Sequence, residues 1–131
     1  MSVETGFRLA VIGDASVSAV IGDRLYARAL PQRPTYPAAA MQTISDVPAA
    51  TLDGNVGRRV ARVQVDVFAG AGAGEAAAVA DAIRRAMDAY SGASGDSMIT
   101  MCRLENERSE YDPEPRLFRV IQDWLVAYAP A

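Results

Sequence analysis

The residues of this chain that could do chemistry are few. The run Gly72-Ala73-Gly74-Glu75-Ala76-Ala77 fits a relaxed dinucleotide fingerprint, with Asp96 about twenty residues further on. Its glycines would let a backbone approach a pyrophosphate at a helix N-terminus. Glu75 places a carboxylate where that phosphate would sit, and the chain has one good helical pattern, not the repeated parallel βαβ units of such folds. Cys102 is the only thiol, and a catalytic thiol normally needs a histidine close in space. There is no histidine, which removes the commonest general base and the commonest transition-metal ligand, and no lysine to grip a phosphate. Glu105 and Glu107 fall on one face of a strand pattern and could be imagined as an acid–base pair, but nothing around them reads as a pocket. Asp46, Asp53, Asp66, Asp81, Asp88 and Asp96 are scattered without calcium-loop spacing. The expectation is no catalytic residue, no cofactor, no metal and no enzyme activity.

The elements that would position these residues fit one domain spanning residues 1–131. Half of the residues are apolar, enough for a real core, and no apolar run approaches the roughly 18–20 residues of a membrane span. The apolar stretch Leu9–Gly13 is no secretory signal, because Glu4 spoils a basic start and Asp14 interrupts the run. A net charge of −3 argues against a nucleic-acid-binding face.

Val3 to Val11 reads as a short helix ended by a left-handed Gly13, and Asp14 as the cap of a second helix over Ala15 to Ile21, stopped by Gly22. Leu25 and Tyr26 read as a brief extended piece before a connector stiffened by Pro31, Pro34 and Pro37. A first main strand covers Ala38 to Ser45, and Asp46 to Gly57 reads as a long loop. Arg58 to Ala69 is the clearest strand. Ala61, Val63, Val65, Val67 and Ala69 fall on one face, and the polar ladder Arg62, Gln64 and Asp66 faces solvent, a lumen or another subunit. Gly70 to Gly74 is a flexible turn into a helix whose apolar stripe is Ala76, Val79, Ala80, Ile83, Met87 and Tyr90, ended by Ser91-Gly92. Gly92 to Asp96 reads as a loop, Met98 to Glu107 as a strand with Cys102 half-buried, and Asp112-Pro113-Glu114-Pro115 as a stiff acidic turn. Arg116 to Tyr128 satisfies both a helical stripe and a strand.

The joint order of Gly22-Asp23-Arg24-Leu25-Tyr26, Leu30-Pro31-Gln32 and the Val63-Gln64-Val65-Asp66-Val67 strand resembles the tail terminator, or tail completion, proteins of long-tailed bacteriophages and gene transfer agents. The resemblance covers nearly the whole chain and makes its last element a strand. It implies an α+β fold in which an antiparallel sheet of about four strands packs against an N-terminal helical segment and one longer helix. It also implies a homohexameric ring that stops tail-tube polymerisation at the head-proximal end and joins the head. The implied partners are other copies of the chain, the tail tube protein and a head–tail connector or adaptor. DNA would pass the channel without specific binding, no membrane would be involved, and assembly would take place in the host cytoplasm.

Candidate assembly contacts are Asp46, Asp53, Asn55, Arg58 and Arg59 in the segment Asp46 to Arg59, and Glu105, Glu107, Arg108 and Glu110 in the charged hairpin. That charged run is either a solvated hairpin end or a partner for the arginines of an adjacent subunit. Two other readings stand beside the ring: a small ligand-binding or regulatory domain, and a neighbouring head-to-tail adaptor.

Overall fold

The computed structural model describes residues 3–49 and 57–130. Helices α1 (Val3–Ile12) and α2 (Ala15–Ile21) come first, followed by strands β1 (Leu25–Ala27), β2 (Ala38–Pro48) and β3 (Arg59–Ala69). Helix α3 (Ala73–Met87) precedes strands β4 (Gly92–Ser94), β5 (Ser97–Asp112) and β6 (Leu117–Pro130). The strands form one six-stranded sheet in the order β1-β2-β3-β6-β5-β4. Every neighbouring pair is antiparallel except β1 with β2, which is parallel.

The α+β class is as expected, whereas the sheet is wider than about four strands and not wholly antiparallel. The two additional strands have three residues each. β1 is the brief extended piece at Leu25 and Tyr26; β4 lies in what reads as loop sequence and exists only through its pairing with β5 across Gly95 and Asp96. Gly95 has φ +58, a left-handed value that suits a tight hairpin turn. β2 runs on to Pro48, so Asp46 is a strand residue opposite Ala61 and not part of a loop.

Helix boundaries follow capping chemistry. Asp14 Oδ1 accepts from the amides of Ser16 (2.9 Å) and Val17 (3.3 Å), and Gly22 closes α2 at φ +58. Gly13 is not among the residues with positive φ. A Cβ there would lie 2.9 Å from Leu9 O, so the glycine permits close approach to a helix carbonyl instead of a left-handed turn. α3 ends at Met87, before Ser91-Gly92, with Ala89 at φ +61 donating its amide to Cys102 O.

All three helices contribute to the core on one face of the sheet, called here the inner face. Ala61, Val63, Val65, Val67 and Ala69 of β3 are at most 1 % exposed and meet Val3, Phe7 and Val11 of α1, Val17 and Ile21 of α2, and Val79, Ile83 and Met87 of α3. Trp124 of β6 lies at the centre, its ring 6.2 Å from that of Phe7. α1 sits close to the β4 turn because Gly6 has no side chain: a Cβ there would be 2.6 Å from Ser94 O, and Ser94 Oγ donates to Gly6 O.

Candidate assembly surfaces

Alternation along β3 and β6 puts Arg62, Gln64, Asp66 and Phe68, with Leu117, Arg119, Ile121, Asp123, Leu125 and Ala127, on the face away from the core. The in-register rows run across four strands. At one end Val47, Val60, Ala127 and Met101 form an apolar row, with Val47 54 % and Met101 37 % exposed. The next rows turn polar: Gln64 Nε2 donates to Asp123 Oδ1 (3.1 Å), and Arg108 lies 3.7 Å from Asp123.

At the other end Arg119 is surrounded by acids. Its guanidinium donates in bidentate fashion to Asp66, with the Nε bond at 3.2 Å, and reaches Asp112 at 3.3 Å and Glu110 at 3.7 Å. Those bonds, led by the one to Asp66, hold its pKa above the usual arginine value. The same guanidinium stacks 5.1 Å from the Phe68 ring. Beside this ladder, Arg28, Leu30, Gln42, Gln64, Asp66 and Phe68 line a groove of about 310 Å³.

The structure places the anticipated contact residues in three settings. Asp53 and Asn55 lie outside the described residues. Asp46 and Arg59 come together on the inner face, where Arg59 Nε donates to Asp46 Oδ1 (2.8 Å) and the Tyr128 hydroxyl donates to Asp46 Oδ2. The Asp46 bond raises the Arg59 pKa, while burial, and after it the Asp46 bond, pushes the Tyr128 hydroxyl up to about 12. Arg58 is exposed beside them.

The hairpin residues are engaged within the same chain. Glu105 lies 3.6 Å from Arg62 and 3.3 Å from Arg103. Glu107 takes Arg84 of α3 at 2.9 Å and the amide of Gln122 at 2.8 Å. Arg108 lies 3.5 Å from Glu110. Glu105 and Glu107 therefore hold separate partners and do not form a facing carboxylate pair.

The sequence reading missed Arg119 and Asp123, whose signal was the odd-numbered alternation in β6, and it put Asp112 in the acidic turn, whereas Asp112 ends β5 beside Arg119. It also missed Gln122, which is fully buried, donates to Ala80 O (2.9 Å) and Glu107, and accepts from the Trp124 indole (3.1 Å). The other chemical suspects have structural settings. Cys102 is buried, not half-buried; burial, with the nearby Asp88 charge behind it, pushes its thiol up to about 12, a poor nucleophile. Gly72 precedes α3 with no side-chain cap, and the Glu75 carboxylate accepts from the Ala71 amide at 3.5 Å. Among the described residues, no group of three or more Cys, Asp and Glu side chains is placed to hold a metal, and no helix is long and apolar enough to cross a membrane.

Comparison with known proteins adds two findings. The family described as tail completion protein gp17 matches residues 8–129, from within α1 almost to the end of β6. A chain from the structure titled "Virion of native gene transfer agent (GTA) particle" superposes with a TM-score of 0.76 at 15 % identity, covering 98 % of this chain and 95 % of that one. At that identity the likeness is one of fold. No curated protein sequence matches.

Proposed function

The chain belongs to the tail completion protein gp17 family, and from that premise we propose that it closes the head-proximal end of a tail tube as a ring, ends tube polymerisation and offers the surface on which the head is joined. Membership makes it a structural component of a virion or virus-like particle tail. The ring, its six copies, the tube protein below and the connector above are the proposal.

The observation that carries it is the uncovered face of the sheet. Four strands present a long, in-register surface graded from an apolar row to an ion-paired ladder, with every described helix on the opposite side. A heterologous contact repeated around an axis closes into a ring when the rotation per copy divides a full turn. Such a role makes and breaks no covalent bond. The passage of DNA sets one further requirement on a channel wall: arginines paired with carboxylates, as Arg119 and Arg108 are here, offer phosphates less than free ones.

Deleting the gene from the parent phage or transfer agent and imaging the particles tests the reading. Abnormally long tails without heads are the expected result. Tails of fixed length joined to heads would sink it. The groove of about 310 Å³ is the observation that favours a ligand-binding role, since it is within the size range of small-molecule sites. Melting-temperature titrations with nucleotides and amino acids address that role directly, because a ligand of the native state raises the transition.

A further inference from the structure

The two ends of the sheet differ in both hydrogen-bonding state and charge. At one end β4 covers β5 only through Ser97–Ile99, and Ala89 donates to Cys102 O. From Arg103 to Asp112 no described strand or loop backbone pairs with β5 on that side. An open edge of this length presents a row of unpaired carbonyl and amide groups.

The other end offers little to a pairing strand: its edge strand β1 has only three residues, and Arg8 Nε donates to Leu25 O there. β1 covers β2 through Ala39–Met41, the Glu4 carboxylate accepts from Thr43 N (3.1 Å), a bulge follows between Thr43 and Ser45, and Pro48 has no amide hydrogen. A second copy therefore has no edge of matching length to offer.

Charge supplies a different match. Residues 24–45, on the β1–β2 side, contain three arginines and no acid, and the acids nearest them are Asp23, Glu4 on Thr43 N, and Asp46, which Arg59 holds. Residues 103–116, on the open β5 edge and its turn, contain five carboxylates against three arginines. Arg24 is used internally, donating to Pro37 O and Val20 O. Arg28 and Arg33 are exposed and have no ion-pair partner among the described residues. Both occupy left-handed turn positions, φ +72 and φ +53, and the Arg28 amide is tied to Met41 O at 2.6 Å.

Resting on the ring proposed above, we infer that the contact between neighbouring copies sets Arg28 and Arg33 of one subunit against the open β5 edge and acidic turn of the next. Guanidinium groups carry donors only; the open edge offers carbonyl acceptors, and its turn offers Glu114, the one carboxylate of the run with no ion-pair partner among the described residues, since Glu105, Glu107, Glu110 and Asp112 are already paired. The prolines at 31, 34 and 37 leave the connector poor in backbone donors, which assigns the contact to its arginine side chains. The two surfaces lie at opposite ends of one sheet, so the contact is head-to-tail and can close on itself.

The test complements the gene deletion with charge-reversed variants and counts particles with joined heads. Arg28→Glu with Arg33→Glu is expected to lower joined particles at least tenfold, and Glu110→Arg with Glu114→Arg to do the same. All four changes in one copy restore the opposite-sign contact and should recover joining to within a few fold of wild type. Glu110 has arginine neighbours, so Glu114→Arg alone, on an exposed turn side chain, replaces the double change if that variant melts early. Joined particles at wild-type level for a stably folded Arg28→Glu/Arg33→Glu variant, while the deletion gives long headless tails, would overturn this contact and leave the ring standing. Four changes that fold but stay as defective as either pair would also overturn it. Joined tails of fixed length in the deletion itself would remove the ring, and the contact with it.

Discussion

The two faces of the sheet are built from the same strands yet obey different rules. On the inner face of β3 every alternate residue is an alanine or valine at most 1 % exposed, and the partners are helices. On the outer face the intervening residues are Arg62, Gln64, Asp66 and Phe68, and the partners are side chains on adjacent strands. The outer face is nonetheless not uniformly wet. Ile121 is 3 % and Leu117 7 % exposed with no helix over them. Ile121 lies in register between Asp66 and Arg108. An inner face is specified by volume, whereas an outer one is specified by which charges must meet, and only the latter can be traded for contacts with another molecule.

The sharpest way to break that distinction is Trp124→Ala. Removing the largest fully buried side chain should cost about 3–5 kcal/mol in denaturant unfolding. A loss below about 1 kcal/mol would mean that the core is not where the inner face says it is. Next is Gln122→Leu, which keeps the volume but strands the buried Trp124 indole N–H; a cost of about 1–3 kcal/mol is expected. Gln122→Glu should cost at least as much, because a buried carboxylate would face the Ala80 carbonyl and the Glu107 carboxylate that the Gln122 amide now serves.

Alkaline titration gives a third measurement. The Cys102 thiol has its value raised from 9.0 to about 12 and the Tyr128 hydroxyl from 10.0 to about 12. The folded state binds both protons more tightly than the unfolded chain, so their contribution is complete below about pH 9 and is lost between about 9 and 12. Melting temperature should fall across that window, and Cys102→Ala should flatten its lower part more than Tyr128→Phe does. The smallest effect belongs to the outer face. Arg62→Ala removes an exposed 3.6 Å ion pair and should change stability by no more than about 0.5 kcal/mol. A cost above about 2 kcal/mol would erase the contrast between the faces.

Legibility of the sequence follows the same division. β3 was readable because one face is buried and the other polar, which leaves a period of two. β6 is ambiguous between helix and strand for the opposite reason: Leu117 and Ile121 are buried on the outer face as Val120, Trp124 and Val126 are on the inner one, so alternation is masked. α3 was readable from its stripe, though not its end, because Ala89 takes the left-handed position expected of a glycine. β4 has no pattern of its own and is made by its partner strand. Asp46 reads as loop from sequence because Ser45, Asp46 and Pro48 are poor strand formers and the bulge between Thr43 and Ser45 shifts the period. Among the anticipated contacts, residue type was legible but company was not. Nothing local says that Glu107 will hold α3 through Arg84, or that Asp46 will meet Arg59 and Tyr128.

On the contact inferred above, the exposed arginines at one end of the sheet and the acidic turn at the other would give each copy a charge at either pole. From β1 to β5 is four inter-strand spacings, about 19 Å along the sheet. At physiological ionic strength the Debye length is about 8 Å, so each pole is hidden from anything not nearly touching it. Copies dispersed in the cell would feel little pull towards one another, whereas copies already seated side by side on a template would feel it at full strength.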